Sequence, residues 1–143
     1  MTFLGFATRS FPEGAHTVAD AAAAVGVAAE QIVKSLVLKR ASGEPLLVAA
    51  SGTNRVDLDR VAGVVGEPVA MARATWVRDV TGYAIGGVPP AGHARDLQTL
   101  VDRDLLAFDE VWAAAGSPFE VFALTPAELV ELTRGTVADV AAR

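Results

Sequence analysis

The chain has 143 residues, with 12 lysines and arginines against 17 acidic side chains, a net charge of −5, a pI near 4.9 and a mean hydropathy of +0.38. That length suits one domain with its own core, and its richest apolar stretches, around Ala21–Ala29 and Leu46–Ala50, fall short of the roughly 20 residues a bilayer span takes. The absence of cysteine excludes disulfides, thiol nucleophiles and cysteine metal sites, and the acidic balance argues against DNA, a membrane surface or broad nucleic-acid wrapping as partners.

Residues 1–15 read as an N-terminal extension or edge segment, with no basic region ahead of a long apolar run. A secretory signal is therefore not expected, and the cytoplasm is the default compartment. Thr17-Val18-Ala19-Asp20 opens an alanine-rich helix that Gly26 suits as its end. Gln31–Arg40 and Pro45–Ala50 form two predicted strands around the turn Ala41-Ser42-Gly43-Glu44. Asp57 caps a helix over Leu58–Val65, terminated by Gly66. A short strand over Val69–Met71 and a helical turn over Thr75–Val80 lead to the segment Thr81–His93. Leu97–Asp102, Glu110–Ala114 and Glu120–Leu124 are further predicted strands. Thr125-Pro126-Ala127-Glu128 starts a last helix, which carries Leu129, Val130 and Leu132 before Gly135. Helices and short strands alternate irregularly, which predicts a mixed α/β arrangement rather than a doubly wound parallel sheet.

Only two cations are lysines, Lys34 and Lys39. Alternation along VKSLVLK puts Lys34 on the face of Leu36 and Leu38, with Val33, Ser35, Val37 and Lys39 opposite. An ammonium on an apolar face is costly unless it is paired or opens onto a polar cleft. Lys34 therefore either snorkels past the sheet edge or points into a pocket to meet a phosphate or carbonyl.

Between Thr81 and His93 stand four glycines and the pair Pro89-Pro90, a density that neither a helix nor a central strand would adopt. The run is either an awkward connection or shaped backbone whose Gly86, Gly87 and Val88 amides converge on an oxyanion. Its spacing fits neither a dinucleotide fingerprint nor a P-loop. His93 could shuttle a proton beside it, and His16 could cap a helix or simply be exposed. Two isolated histidines make a poor metal site, and Ser35 and Ser51 have no histidine at a readable spacing. Asp57 reads as a helix cap. Asp102 and Asp104 read as turn residues or as polar walls of a site.

In order along the chain, KSLVL, SGTNRVDLDRVAGVVG, TGYAIGGVPPAGH and LVDRDLLAFDEVWAAAGSPFEVFALTPAELVELT resemble the YbaK-like family, also called the prolyl-tRNA synthetase editing-domain family. The resemblance implies one compact α/β domain, here 1–143, with a mixed, barrel-like sheet. It implies hydrolysis of the ester that joins a wrong amino acid to tRNA, in trans, most often cysteine or alanine on tRNA-Pro. No cofactor or metal is implied, and the partners are the tRNA acceptor end and a prolyl-tRNA synthetase. The family lysine maps onto Lys34 and its loop onto Gly86–Pro90, with Pro89 where many members have Ser or Thr. Lys34 would place the 3′ end and the loop amides would hold the ester. The substrate's ribose 2′-hydroxyl would take the place of a protein base.

Around this core the sequence reading places Leu36, Ser51, Thr53, Tyr83, Pro89, Pro90 and Asp102 as substrate-binding residues, and His93 as a catalytic one. Lys34, Lys39, Arg40, Arg55 and Arg95 would meet the acceptor end. Two other classes fit the same residues: a non-catalytic module binding aminoacyl-tRNA or a synthetase, and a hydrolase of another small ester or of an aminoacyl adenylate.

Overall fold

Helices begin where a side chain can satisfy the orphan N–H groups of the first turn. In the computed structural model, which describes residues 2–15 and 17–143, helix α1 spans Val18–Val25 and Thr17 Oγ1 accepts from Asp20 N at 3.0 Å. Asp57 does the same for α2, Leu58–Val65. Helix α3 covers Ala74–Thr81, one residue longer at each end than expected. Helix α4 spans Pro126–Thr133, with Thr125 and Glu128 forming a reciprocal capping box. Its left-handed end is Arg134 (φ 52°), not the expected Gly135. Gly135 serves packing instead, since a Cβ there would stand 2.8 Å from both Thr133 Oγ1 and Val101 Cγ2. His16 lies outside the described residues.

The strands are β1 (Thr2–Phe3), β2 (Phe6–Ser10), β3 (Ile32–Arg40), β4 (Pro45–Ser51), β5 (Val69–Met71), β6 (Gln98–Asp102), β7 (Val111–Ala114), β8 (Glu120–Leu124) and β9 (Thr136–Ala138). They form a mixed sheet in the order β1-β2-β8-β7-β3-β4-β6-β9, with β5 paired to β3. Among the described residues no ladder joins β9 back to β1, so the curved sheet is open along that seam. The β3–β7, β4–β6 and β6–β9 pairs are parallel and the others antiparallel. Strand β3 starts one residue later than expected because Ala29–Gln31 form a 3-10 turn. Three strands were not anticipated. The β1–β2 hairpin docks on β8 at the sheet edge, and β9 adds to β6.

Alternation divides the core cleanly. Val33 and Val37 face Leu47, Ala49, Val101 and Phe122, under α3 and α4. Leu38 faces Leu46, Val48 and Leu100, under Val61 of α2. Leu36 packs against that second cluster, as its register opposite Val48 requires. Ile32 belongs to a third, smaller cluster beneath Ala21 and Ala22 of α1. Gly63 sits inside α2 with nothing within 4 Å of where a Cβ would be, and it has no positive φ. Gly63→Ala should therefore stabilise the fold by about 0.5–1 kcal/mol, measured by chemical denaturation.

Candidate active site

The site follows from how β3 shares its outer edge. Strand β7 pairs with β3 only at Ile32 and Val33, and β5 only from Leu38 to Arg40. Between them, residues 34–37 have no strand on that side. Arg40 N donates to Glu44 O on the β4 side, and Ala41 N donates to Pro68 O on the β5 side, each at 2.9 Å. Because antiparallel bonding alternates, the even peptide groups of β3 serve β4 and the odd ones serve the other edge. Ser35 and Val37 therefore turn their peptide groups toward the gap.

A cleft of about 330 Å³ opens there. Its floor is Val33–Leu36. Its walls come from Val18 and Ala21 of α1, from Trp112–Ala114 of β7, from Ser117, Pro118 and Val121, and from Ile85, Gly86 and Val88 of the glycine loop. The lining is largely apolar, and Lys34 is its one charged residue among those described. Lys34 Nζ donates to the main-chain carbonyl of Asn54 at 2.7 Å. Burial pushes this ammonium below the usual lysine range, and the nearby Asp102 carboxylate opposes that fall. A cation in an apolar cleft is costly unless it is partnered, and the partner here is the Asn54 carbonyl.

The glycine loop is anchored from below. Val88 is buried in the larger core, and Pro89 and Pro90 are buried with it. Gly87 lies flat on the β7–β8 turn, where a Cβ would come within 2.7 Å of Ser117 Cα. Its N–H donates to Ala84 O at 3.0 Å, so the expectation that this amide holds the ester is corrected. Gly86 (φ 95°) and Val88 remain at the cleft wall as the candidate donors.

Several expected site residues turn out to be supports. His93 Nε2 donates to Pro89 O at 2.6 Å and its ring stands edge-on to Tyr83. Tyr83 in turn donates from its hydroxyl to Gly92 O at 3.2 Å. Neither lines the cleft, nor do Pro89 and Pro90; together they clamp the loop closed. Ser51 spends its hydroxyl on Glu30 O (2.7 Å) and its N–H on Asp102 Oδ2 (3.0 Å). Asp102 is fully buried beneath the Ser51–Asn54 turn, and Thr53 is exposed outside the cleft. A buried polar residue near a site and one inside it look alike in a string.

Burial drives the His93 imidazole below its ordinary value, while its bond to Pro89 opposes that. The unfolded chain then binds more protons than the fold between this lowered value and about 6.5. Stability contributed by neutral His93 is present above that window and is lost as the pH falls through it. Thermal melts of the natural chain should therefore weaken on acidification in this range, and His93→Gln should flatten that part of the profile.

Two wall elements were missed. Helix α1 was legible as a helix, but nothing local showed that Val18 and Ala21 face a cleft. Trp112 was legible only as a strand residue. The Arg9 guanidinium lies over its ring, 5.8 Å from the centroid, which brings a second cation beside the cleft. By contrast, Arg40 is engaged by Glu67 and Gln98, and Arg95 by Glu44, at 2.9 Å in the latter pair. Lys39 lies over Trp76. A larger open hollow of about 650 Å³ lies between Phe11–Gly14 and α1, and among the described residues its charged lining is Glu13 and Asp20.

Comparison with known proteins gives the family and the fold. Residues 12–132 match the model of the aminoacyl-tRNA editing domain, and the chain belongs to that family. A crystal structure provisionally described as a trans-editing enzyme for prolyl tRNA synthetase superposes with a TM-score of 0.92 at 44% identity, covering 96% of this chain and 87% of that one. The uncharacterised protein YwhH of Bacillus subtilis is 33% identical over 123 residues, covering 86% of this chain and 78% of that protein. A protein of Enterococcus faecalis provisionally named a Cys-tRNA(Pro)/Cys-tRNA(Cys) deacylase, EbsC, is 25% identical over 127 residues, or 87% of this chain and 77% of EbsC. No helix among the described residues is long and apolar enough to cross a membrane.

Proposed function

We propose that this chain is a trans-editing deacylase that hydrolyses the ester of a mischarged tRNA, with cysteinyl- or alanyl-tRNA-Pro as its substrate. The observation that carries the reading is Lys34, the one cation among the described lining residues of a largely apolar cleft that Gly86 and Val88 also line. An aminoacyl ester is already activated, so the protein needs to orient it and stabilise the developing oxyanion rather than supply a covalent nucleophile. The Gly86 and Val88 amides hold the carbonyl oxygen. Lys34 binds the ribose or phosphate of the terminal adenosine. The proton relay is assigned to the substrate's own ribose 2′-hydroxyl and a water.

Size limits the amino acid. A cleft of about 330 Å³ that also receives the ribose leaves room for a short side chain, and its apolar walls discriminate by only about 1–3 kcal/mol per methylene. Arg9, beside the cleft, replaces Arg40 and Arg95 as the cation offered to the acceptor strand. With a net charge of −5, contact is confined to that end, and a prolyl-tRNA synthetase supplies the remaining affinity.

The test is release of amino acid from tRNA-Pro charged with cysteine, alanine or proline. Turnover of the first two, sparing prolyl-tRNA-Pro, is expected. Binding of all three without release would make the chain a recognition module instead.

A further inference from the structure

Asp102 is a fully buried carboxylate close to the site. It ends β6 with no exposure to solvent, and no described lysine or arginine forms a salt bridge with it. Burying a carboxylate is costly unless its oxygens are satisfied. Here Oδ2 accepts from Ser51 N at 3.0 Å and from Asn54 Nδ2 at 2.8 Å, and Oδ1 accepts from Asp104 N at 2.9 Å. Asn54 is held just as completely. Its Nδ2 donates also to Asp104 Oδ2 at 2.8 Å, and its main-chain N donates to Ser51 O at 2.9 Å. Its one remaining strong acceptor on the main chain is the carbonyl that receives Lys34 Nζ at 2.7 Å. Arg143 braces the outer carboxylate, Asp104, from the surface at 3.2 Å.

We propose that Asp102 and Asn54 form a positioning unit for Lys34, in which the buried carboxylate locks the Asn54 side chain and the locked residue presents the carbonyl that fixes the ammonium at the cleft. The unit acts on substrate only through Lys34. Neither member lines the cleft. Asp102 also supplies the negative charge that opposes the effect of burial on Lys34, so the same carboxylate sets where the ammonium sits and helps keep it charged. Its contribution to catalysis rests on the deacylase reading; its hold on Lys34 does not.

The chain has two lysines, Lys34 and Lys39, so lysine-selective 15N labelling with Lys39→Arg for assignment reads each ammonium separately. In the natural protein the Lys34 Nζ–H resonance should persist near neutral pH, while that of exposed Lys39 is lost to exchange. In folded Asn54→Ala the Lys34 resonance should disappear and kcat/KM should fall about 10- to 100-fold, the scale of a small misplacement of a reacting group. In Asp102→Asn the titration midpoint of Lys34 should move further down, carrying the alkaline limb of the activity profile with it. A Lys34 ammonium that exchanges as fast as Lys39 in the natural protein, or that is unchanged in folded Asn54→Ala, overturns the proposal. Should both variants fail to fold, the natural protein's resonance decides. Should the chain deacylate nothing while the Lys34 resonance behaves as described, the deacylase reading fails and the positioning unit stands.

Discussion

Lys34→Ala is expected to lower kcat/KM for deacylation by about 100-fold, the scale of losing the group that positions the reacting ester. The effect should fall mainly on kcat if the ammonium stabilises developing charge, and mainly on KM if it only anchors the nucleotide. The fold should survive. Lys34 makes one hydrogen bond and no salt bridge among the described residues, and removing a half-buried ammonium relieves a desolvation cost. Lys34→Arg keeps the charge but replaces a compact ammonium with a broad planar fork. It should recover part of the binding and little of the rate. Parallel melts and single-turnover assays of the three proteins separate these outcomes, and wild-type turnover by Lys34→Ala would remove the lysine from the mechanism.

Gly52→Ala is expected to damage stability and activity together. A Cβ at Gly52 would stand 2.4 Å from Ala29 O and 2.5 Å from Val18 Cγ1, with Ile32 O at 3.1 Å. Two of these are backbone atoms at the junction of α1 and β3, which cannot swing aside. Overpacking of this kind costs about 1–3 kcal/mol, or roughly 3–10 °C in Tm for a domain of this size. The same turn carries Ser51 and Asn54, so relief by shifting it displaces the carbonyl that holds Lys34. Activity in the surviving folded fraction should therefore fall as well, unlike in Gly63→Ala, which alters no contact of the site.

Local chemistry was legible in the sequence. Thr17, Asp57 and Thr125 announce helices because a cap is decided within four residues. Lys34 stood out because a charge on an apolar strand face demands a reason. What the sequence hides is long-range partnership. Ser51, Asp102 and His93 read as site residues on type and neighbourhood, yet their polar atoms are committed to Glu30, Asn54 and Pro89. Gly87 looked like an oxyanion donor until its N–H was seen to close a turn on Ala84. The cleft itself is a property of pairing. It exists because β7 leaves β3 at Val33 and β5 joins at Leu38, a gap that no local pattern encodes. Short β9 was missed for the same reason, since its ladder partner is the distant β6.

The central claim is that the aminoacyl end of the substrate lies in the cleft over Lys34. Its most direct test is a titration of the 15N-labelled protein with a non-hydrolysable analogue of the 3′ end, an alanyl group joined to adenosine by an amide in place of the ester. Saturable shifts are expected at the amides of Lys34, Ser35, Leu36, Gly86, Val88 and Trp112. Shifts confined to Phe11–Gly14 and the outer face of α1, around the larger hollow, would contradict it.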